Sequence, residues 1–243
     1  MTAGKLLESG LPTQLPPLAL SFDLDDTLWP IWVAIERAER VLHAWLVEHA
    51  PATAAQFDAA GLRAVRNAVA DRHPEWGHDL SRIRRMSLHE ALTVSGDDPS
   101  LTDAGFEVFF DARQQVTLYP EAREALDRLA RRFPLIAVTN GNSELDRTGL
   151  DGLFQDSLSA FRVGVAKPNP RIFLAACERL GLAPGRVLHV GDDLMLDVNG
   201  ALEAGLQAAW LRREVAVDEP APPLNAPYRV FDNLTRLADA LGC

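Results

Sequence analysis

The stretch Phe22-Asp23-Leu24-Asp25-Asp26-Thr27-Leu28 decides the fold. It follows the apolar run 18–22, whose length and composition are typical of a buried strand in a parallel sheet. Because parallel α/β folds bind ligands at the edge where their strands end, these carboxylates are predicted to face a ligand site. Leu24 alternates with Asp23 and Asp25, so its side chain is predicted to point the opposite way, into the core.

The two alternating carboxylates have complementary chemical uses. Asp23, at the end of the strand, can attack phosphorus and divide one difficult transfer into two easier steps. Asp25 can protonate the leaving oxygen and later take a proton from water. The alternative is an acidic turn whose aspartates cap a helix, which is common after strands. This stretch alone leaves both interpretations open.

Further apolar runs indicate more strands, and amphipathic patterns between them indicate helices. The other strand runs are 135–138, 187–190, 208–211 and a weaker one at 228–231. The helical patterns are 121–132, 171–180 and 194–204. Gly181 and Gly205 follow the last two patterns as helix-ending signals. Strands that alternate with helices predict a doubly wound, Rossmann-like α/β core with a mostly parallel sheet.

The segment 30–116, called the helical insert below, breaks this alternation. It contains no convincing buried-strand run, and its amphipathic stretches at 36–46, 60–70 and 81–92 predict helices. We therefore predict an all-helical domain inserted after the first strand. The predicted division is a loose N-terminal tail at 1–17, an α/β core at 18–29 and 117–243, and the insert between its two parts. A Pro-rich surface loop is predicted at 221–223.

Two more polar segments follow the strand runs or precede a helix. Thr139-Asn140-Gly141-Asn142 offers a hydroxyl and free backbone N–H groups at a strand-to-helix junction, which suits an anion. Lys167, followed by Pro168 just before a helix, can neutralise an incoming phosphoryl group. Taken singly, an Asn-Gly turn and a surface lysine are the simpler explanations.

The fourth segment concentrates negative charge. Asp192, Asp193 and Asp197 follow the run 187–190 and would repel Asp23 and Asp25 if all met in one cleft. A hard divalent cation with oxygen ligands relieves that repulsion, and Mg²⁺ is the usual ion beside phosphates. Helix capping is the alternative use of these residues. Because all four segments follow one another at the ends of apolar runs, we infer one phosphoryl-transfer site.

These four motifs resemble those of the haloacid dehalogenase superfamily over roughly residues 18–241, and the helical insert resembles the C1 cap of that family. The resemblance implies that Asp23 is the nucleophile and a Mg²⁺ ligand. It implies that Asp25 is the general acid and base, with its backbone carbonyl as a second ligand, and that Asp192 is a direct ligand. The implied phosphate-binding residues are Thr139, Asn140 and Lys167. Asp193 or Asp197 would act through water or orient Lys167.

Within the superfamily, the amino-acid sequences of segments 22–28, 137–142 and 188–193 resemble those of a bacterial phosphatase group. That group acts on flavin-pathway intermediates, including 5-amino-6-ribitylamino-uracil phosphate, and often accepts flavin mononucleotide and sugar phosphates. The resemblance therefore implies a Mg²⁺-dependent phosphatase of a small phosphorylated metabolite. A phosphomutase on the same core remains an alternative. A dehalogenase is disfavoured, because such relatives lack an acid at the position of Asp25 and need no metal.

A phospho-accepting receiver domain of signalling proteins is an alternative from a different class, since it uses similar groups on a doubly wound sheet. Asp25 and the long helical insert argue against it, because a switch needs neither a positioned acid nor a cover over its site.

Composition limits the partners. The 24 basic residues against 34 acidic ones give a net charge of −10, which argues against nucleic acid and anionic membrane surfaces. The sequence offers no apolar run long enough for a membrane span and no signal-peptide pattern, so we expect a cytoplasmic location. A monomer and a homodimer both remain open.

Two features of the helical insert and its start could contact a substrate. Trp29 and Trp32 lie where the chain leaves the core, and either could stack on a flat ring or serve as packing. At helical spacing, Arg82, Arg85 and His89 fall on one face, which could meet an anion or could be a solvated, ion-paired surface.

Overall fold

The computed structural model of the chain describes residues 15–150, 152–213 and 223–243. Most of the tail predicted at 1–17 and of the loop predicted at 221–223 lies outside these residues.

A parallel sheet of six strands forms the core, with the order β3-β2-β1-β4-β5-β6 among the described residues. The strands are β1 Ala19–Phe22, β2 Leu135–Thr139, β3 Asp156–Ser159, β4 Val187–Gly191, β5 Gln207–Leu211 and β6 Arg229–Phe231. Phe22 of β1 pairs with Ala137 of β2 and with Val190 of β4, so the three strands end at the same level. The predicted α/β class with a parallel sheet is confirmed.

Helices occupy the helical insert and both faces of the sheet. Those of the insert are α1 Ile31–His49, α2 Pro51–Gln56, α3 Ala59–Arg72, α4 Leu80–Ser95 and α5 Thr102–Arg113. Those of the core are α6 Ala122–Ala130, α7 Leu145–Thr148, α8 Ala160–Val163, α9 Pro170–Leu180, α10 Gly200–Glu203 and α11 Leu234–Ala240. A π-helical segment, Leu194–Asn199, precedes α10.

Two apolar clusters cover the two faces of the sheet. Leu135 and Ala137 of β2 pack on one face with α6 and α11, whereas Ile136 and Val138 pack on the other face with α9 and α10. This alternation follows from the two-residue period of a strand. Because both faces are covered, every residue of β2 is buried, as the apolar run predicted.

The helical insert has an apolar cluster of its own. Leu42 of α1, Leu92 of α4 and Phe109 of α5 belong to it, and α1 packs against α5 while α3 packs against α4. A separate cluster is what an independently packed unit requires. The exact domain limits stay a prediction.

The edge strand β3 was not predicted. Its sequence, Asp-Ser-Leu-Ser, contains one buried side chain, Leu158, because an edge strand at this position buries little of its surface. Such a strand leaves no apolar run to recognise. The helix predicted at 194–204 is also divided, since the π-helical segment occupies its first half.

No helix within the described ranges combines the length and the apolar character that crossing a bilayer requires.

Two neighbours on α9 test the packing of the core. Ile172 is fully buried against the sheet, whereas Leu174 is 37% exposed. Ile172→Ala should lower the free energy of unfolding by about 2–5 kcal/mol, because it removes buried methyl groups and leaves a cavity. Leu174→Ala should cost well under half as much. Urea unfolding followed by circular dichroism measures both, and equal losses would contradict the assigned packing.

Candidate active site

A compact turn ends β1 and starts the site. The backbone N–H of Asp23 donates to the carbonyl of Val190 at 2.9 Å, so pairing with β4 continues to this residue. Leu24 is fully buried, as predicted. Asp26 adopts a φ of +57°, a conformation that Asp tolerates better than most residues, and its N–H donates to the carbonyl of Trp29 at 2.8 Å. This turn directs the chain away from the sheet towards α1.

The carboxylate of Asp25 is held on both oxygens. Trp29 Nε1 donates to its Oδ1 at 2.9 Å, and Arg113 Nη2 donates to its Oδ2 at 2.7 Å. Trp29 is fully buried, which favours the packing interpretation of this residue over ring stacking. Arg113 was not predicted from the sequence, because an arginine in an amphipathic helix gives no signal that distinguishes it from a solvated one.

A buried ion-paired cluster joins Lys167 to Asp23 and Asp197. Lys167 Nζ is 2.5 Å from Asp23 Oδ1 and 2.6 Å from Asp197 Oδ1. The three residues are only 4%, 8% and 1% exposed, in that order. Buried charges are stable when they are paired and hydrogen-bonded, as they are here. The surface-lysine interpretation of Lys167 is therefore wrong for this chain.

Asp197 orients Lys167. Its Oδ1 lies 3.3 Å from His189 Nε2, and its Oδ2 accepts from the backbone N–H of Asp193 at 3.0 Å. Because a carboxylate can only accept, Nε2 of His189 carries the proton, and Nδ1 accepts from the hydroxyl of Ser21 at 2.9 Å. Burial lowers the pKa of His189 and favours this neutral form.

Asp193 has a different place. Its Oδ1 accepts from the N–H groups of Met195 and Leu196 at 2.7 and 2.8 Å, which is the geometry of a helix N-cap. Of the two aspartates that the sequence could not separate, Asp197 therefore contacts Lys167, and Asp193 caps the helical segment.

The backbone of β4 and the segment after it make room for Asp197. A Cβ added at Gly191 would lie 2.2 Å from Asp197 Cγ, so only glycine fits at this position. The N–H groups of Asp197 and Val198 both donate to the carbonyl of Asp193, at 3.0 and 3.2 Å. This wider, π-type turn places the carboxylate of Asp197 against the end of β4.

The loop after β2 supplies hydrogen-bonding groups. Thr139 Oγ1 accepts from the N–H of Gly141 at 2.9 Å. Asn140 bonds to the backbone of Lys167 twice, from Nδ2 to the carbonyl at 3.0 Å and at Oδ1 from the N–H at 2.7 Å. The amide of Asn140 thus positions Lys167, and phosphate binding by Asn140 stays a prediction. A Cβ at Gly141 would lie 2.4 Å from Asp25 Oδ2.

The charges of the site perturb one another. Burial, reinforced by the charges of Asp197 and Asp192, raises the pKa of the Asp23 carboxyl well above its usual range. Burial and the charge of Asp197 raise the pKa of Asp192 to about 7. Burial favours the neutral forms of Asp197 and Lys167, but their ion pair outweighs it. Lys167 lowers the pKa of Asp197, and Asp197 and Asp23 raise the pKa of Lys167. The site therefore has more negative groups than its lysine can balance.

The donor set fits a hard divalent cation. Asp23, Asp192 and Asp197 each offer a carboxylate oxygen, and the three atoms lie within 4.8 Å of one another. Both oxygens of Asp197 already accept hydrogen bonds, whereas Asp192, among the described residues, accepts at Oδ1 alone, from Thr27 at 2.9 Å. Asp23 and Asp192 are therefore the better direct ligands for Mg²⁺, which prefers carboxylate oxygens.

All four predicted segments meet at one cavity. Its volume is ≈ 210 Å³, and it is lined by Asp23, Asp25, Asp26, Thr139, Asn140, Gly141, Lys167, Asp192, Asp193, Leu196 and Asp197. The structure thus brings together every residue that the sequence nominated for catalysis, phosphate binding or metal binding.

A larger cleft of ≈ 930 Å³ lies between the helical insert and the core. Arg82 and Arg85 line it. Arg82 stacks on Trp76 at 4.0 Å, and Arg85 pairs with Asp103 and Glu107, both at 3.0 Å. Arg85 therefore has the ion-paired surface environment that was one of the two interpretations.

Trp32, by contrast, is 59% exposed. It lines a cavity of ≈ 330 Å³. Asp26 and Asp192 line both this cavity and the ≈ 210 Å³ cavity of the candidate site.

Comparisons with known proteins identify the family of this chain. The family model described as haloacid dehalogenase-like hydrolase matches residues 18–205. The chain is 36% identical over 200 residues to the 5-amino-6-(5-phospho-D-ribitylamino)uracil phosphatase of Escherichia coli, covering 81% of this chain and 84% of that protein. It is 30% identical over 233 residues to the glyceraldehyde 3-phosphate phosphatase of Methanopyrus kandleri, covering 92% and 96%.

A crystal structure of a 2-haloacid dehalogenase from Pseudomonas syringae superposes with a TM-score of 0.84 and 35% identity, covering 93% of this chain and 98% of that one.

The buried ion-paired cluster of Lys167 with Asp23 and Asp197 predicts an effect on stability. Lys167→Met leaves Asp23 and Asp197 buried without their cation, so the free energy of unfolding at neutral pH should fall by about 3–5 kcal/mol. The double variant Lys167→Met with Asp197→Asn should recover part of this loss, because it removes one of the unpaired charges. Chemical denaturation measures both. A single variant as stable as the parent would contradict the view that this pairing stabilises the fold.

Proposed function

The chain belongs to the haloacid dehalogenase-like hydrolases, and from that premise we propose that it dephosphorylates a small metabolite through an aspartyl-phosphate on Asp23. It is a phosphoric monoester hydrolase of this superfamily. The observation that carries the proposal is the ≈ 210 Å³ cavity in which Asp23, Asp25, Lys167 and Asp192 lie together at the end of the central strands.

The first chemical step uses the two aspartates of the β1 turn. A carboxylate oxygen of Asp23 attacks phosphorus and forms an O–P bond, while the bond from phosphorus to the ester oxygen breaks. Asp25 gives its proton to that oxygen, and the product alcohol leaves. Lys167, positioned by Asp197, and the hydroxyl of Thr139 interact with the phosphoryl oxygens, where negative charge has to be balanced.

The second step regenerates the enzyme. Water gives a proton to Asp25 and attacks phosphorus, and the O–P bond to Asp23 breaks, so that inorganic phosphate and the free carboxylate result. The same residue therefore acts first as acid and then as base.

Mg²⁺ is the proposed cofactor. Asp23 and Asp192 would hold it through carboxylate oxygens, and Asp25 through its backbone carbonyl. When bound, the ion supplies positive charge that offsets the carboxylates and the phosphoryl group. The excess of acidic groups around Lys167 supports this assignment.

The helical insert is proposed to act as a cap that covers the site and contacts the leaving group. Direct hydrogen bonds between the insert and the loop after β2 support this, for example from Asn142 Nδ2 to Ser81 Oγ at 3.1 Å. The similarity to the Escherichia coli phosphatase supports a flavin-pathway intermediate as substrate, with flavin mononucleotide and sugar phosphates as further candidates.

Dehalogenation and the transfer of a phosphoryl group by a phosphomutase are the competing reactions on this fold. A halide leaves without a proton, so a dehalogenase has no use for an acid at the position of Asp25, whereas an alcohol needs one. The deciding experiment is a screen of phosphorylated metabolites with Mg²⁺, ranked by kcat/KM, with 2-chloropropionate in parallel. Phosphate release supports the proposal. Chloride release alone, or a phosphorylated isomer as product, would contradict it.

Asp23→Asn should abolish phosphate release, because an amide cannot form the phospho-enzyme. Circular dichroism and the melting temperature should stay close to those of the parent, because Lys167 keeps its buried ion pair with Asp197. The measurement is phosphate release from the best substrate of the screen. Asp146→Asn, on the exposed surface of α7, is the control and should retain full activity. Normal turnover by the Asp23 variant would exclude the proposed nucleophile.

Mg²⁺ binding should depend on pH through Asp192. Because the pKa of Asp192 is raised to about 7, protons compete with the cation below that pH, and affinity is lost as pH falls. We expect binding about tenfold weaker at pH 6 than at pH 8. Isothermal titration with MgCl₂ measures this. Asp193→Asn should keep the same pH dependence, and an affinity that is unchanged between the two pH values would refute the assignment of Asp192.

A further inference from the structure

Arg113 is a buried cation that the proposed reaction does not yet use. It is the last residue of α5, in the helical insert, and is only 3% exposed. Its Nη2 donates to Asp25 Oδ2 at 2.7 Å, and its Nη1 contacts the hydroxyl of Ser143. The guanidinium of Arg113, which belongs to the insert, therefore contacts the carboxylate of Asp25 in the turn after β1.

The surroundings of Arg113 fix the direction of its guanidinium. Gln114, the next residue, accepts from the N–H of Glu144 at 2.9 Å and donates to the carbonyl of Asn142 at 3.3 Å. A Cβ at Gly141 would lie 3.0 Å from Arg113 Nη2. The loop after β2 thus holds the end of α5 by several polar contacts and leaves close clearance around the guanidinium.

The two donors to Asp25 come from different parts of the fold. Trp29, at the start of the chain segment that leaves β1, holds Oδ1, and Arg113, at the end of the insert, holds Oδ2. A carboxyl that is held on one side only can rotate about its terminal torsion, which is broad. With both donors in place, its plane is defined. The orientation of Asp25 therefore depends on where the helical insert lies relative to the sheet.

We propose that Arg113 is a positioning residue that sets the orientation of the Asp25 carboxyl for proton transfer to the leaving oxygen. The inference rests on the proposed function, in which Asp25 is the acid and base. Arg113 acts through Asp25 and touches neither phosphorus nor the leaving group. Proton transfer requires the donor within hydrogen-bond reach of the leaving oxygen, and a misplacement of about 1 Å can cost 10²-fold in rate.

The test compares leaving groups in Arg113→Met. The parameter kcat/KM reports only the steps up to phospho-enzyme formation, in which the leaving group departs. With an alkyl phosphate such as glycerol 2-phosphate, whose alkoxide needs a proton, we expect a loss of about 10- to 100-fold. With para-nitrophenyl phosphate, whose phenolate leaves without one, the loss should be within about threefold. Arg113→Lys, which keeps a donor near Asp25, should recover part of the alkyl activity.

Arg147→Met is the matched control. Arg147 also joins the core to the insert, through Asp111 at 2.8 Å, but it lies on the surface and away from Asp25. We expect it to change both substrates equally and by less than about threefold, as for an exposed ion pair. If Arg113→Met lowers both substrates equally, or if neither Arg113 variant separates them, Arg113 is only structural and the inference is wrong.

Asp25→Asn separates this failure from that of the proposed function. If Asp25→Asn shows the strong dependence on leaving group and the Arg113 variants do not, only the role of Arg113 is lost. If Asp25→Asn shows no such dependence, the acid role itself fails. In the double variant, Arg113→Met should add no further selectivity, because the carboxyl that it positions is absent.

Discussion

The pairing of one buried lysine with two buried carboxylates is the interaction on which the site depends. Lys167 lies between Asp23 and Asp197, and each of the three would be costly to bury alone. The surrounding structure serves this arrangement, since Asn140 fixes the lysine backbone and Gly191 gives Asp197 room. The nucleophile proposed for the reaction is therefore placed by electrostatic balance as much as by the strand that carries it.

The parallel sheet explains why distant segments can share this balance. The central strands β1, β2 and β4 end at one level, so the turns that follow them open onto a single cavity. The acidic groups gathered there exceed the positive charge of Lys167, and burial together with that excess raises the pKa values of Asp23 and Asp192. A divalent cation removes it, which connects the architecture to the proposed cofactor.

The helical insert adds a second level of organisation. Its own apolar cluster allows it to pack as a unit, while polar contacts from α4 and α5 connect it to the loop after β2. Arg113 extends this connection to Asp25. The position of the insert and the geometry of the proposed acid are thereby joined, which would give the insert a part in the proposed reaction in addition to its proposed role as a cap.

The sequence by itself determined the fold class and the residues predicted for the candidate site. Apolar runs followed by Asp23, Thr139 and Asp192 are local patterns, and a parallel sheet brings the ends of its strands together at one cavity. Only the tertiary structure decided which aspartate orients Lys167, revealed the polar edge strand β3, and brought Arg113 to Asp25. These depend on contacts between segments far apart in the chain, and neither periodicity nor composition records which of several similar polar residues will be buried against which partner.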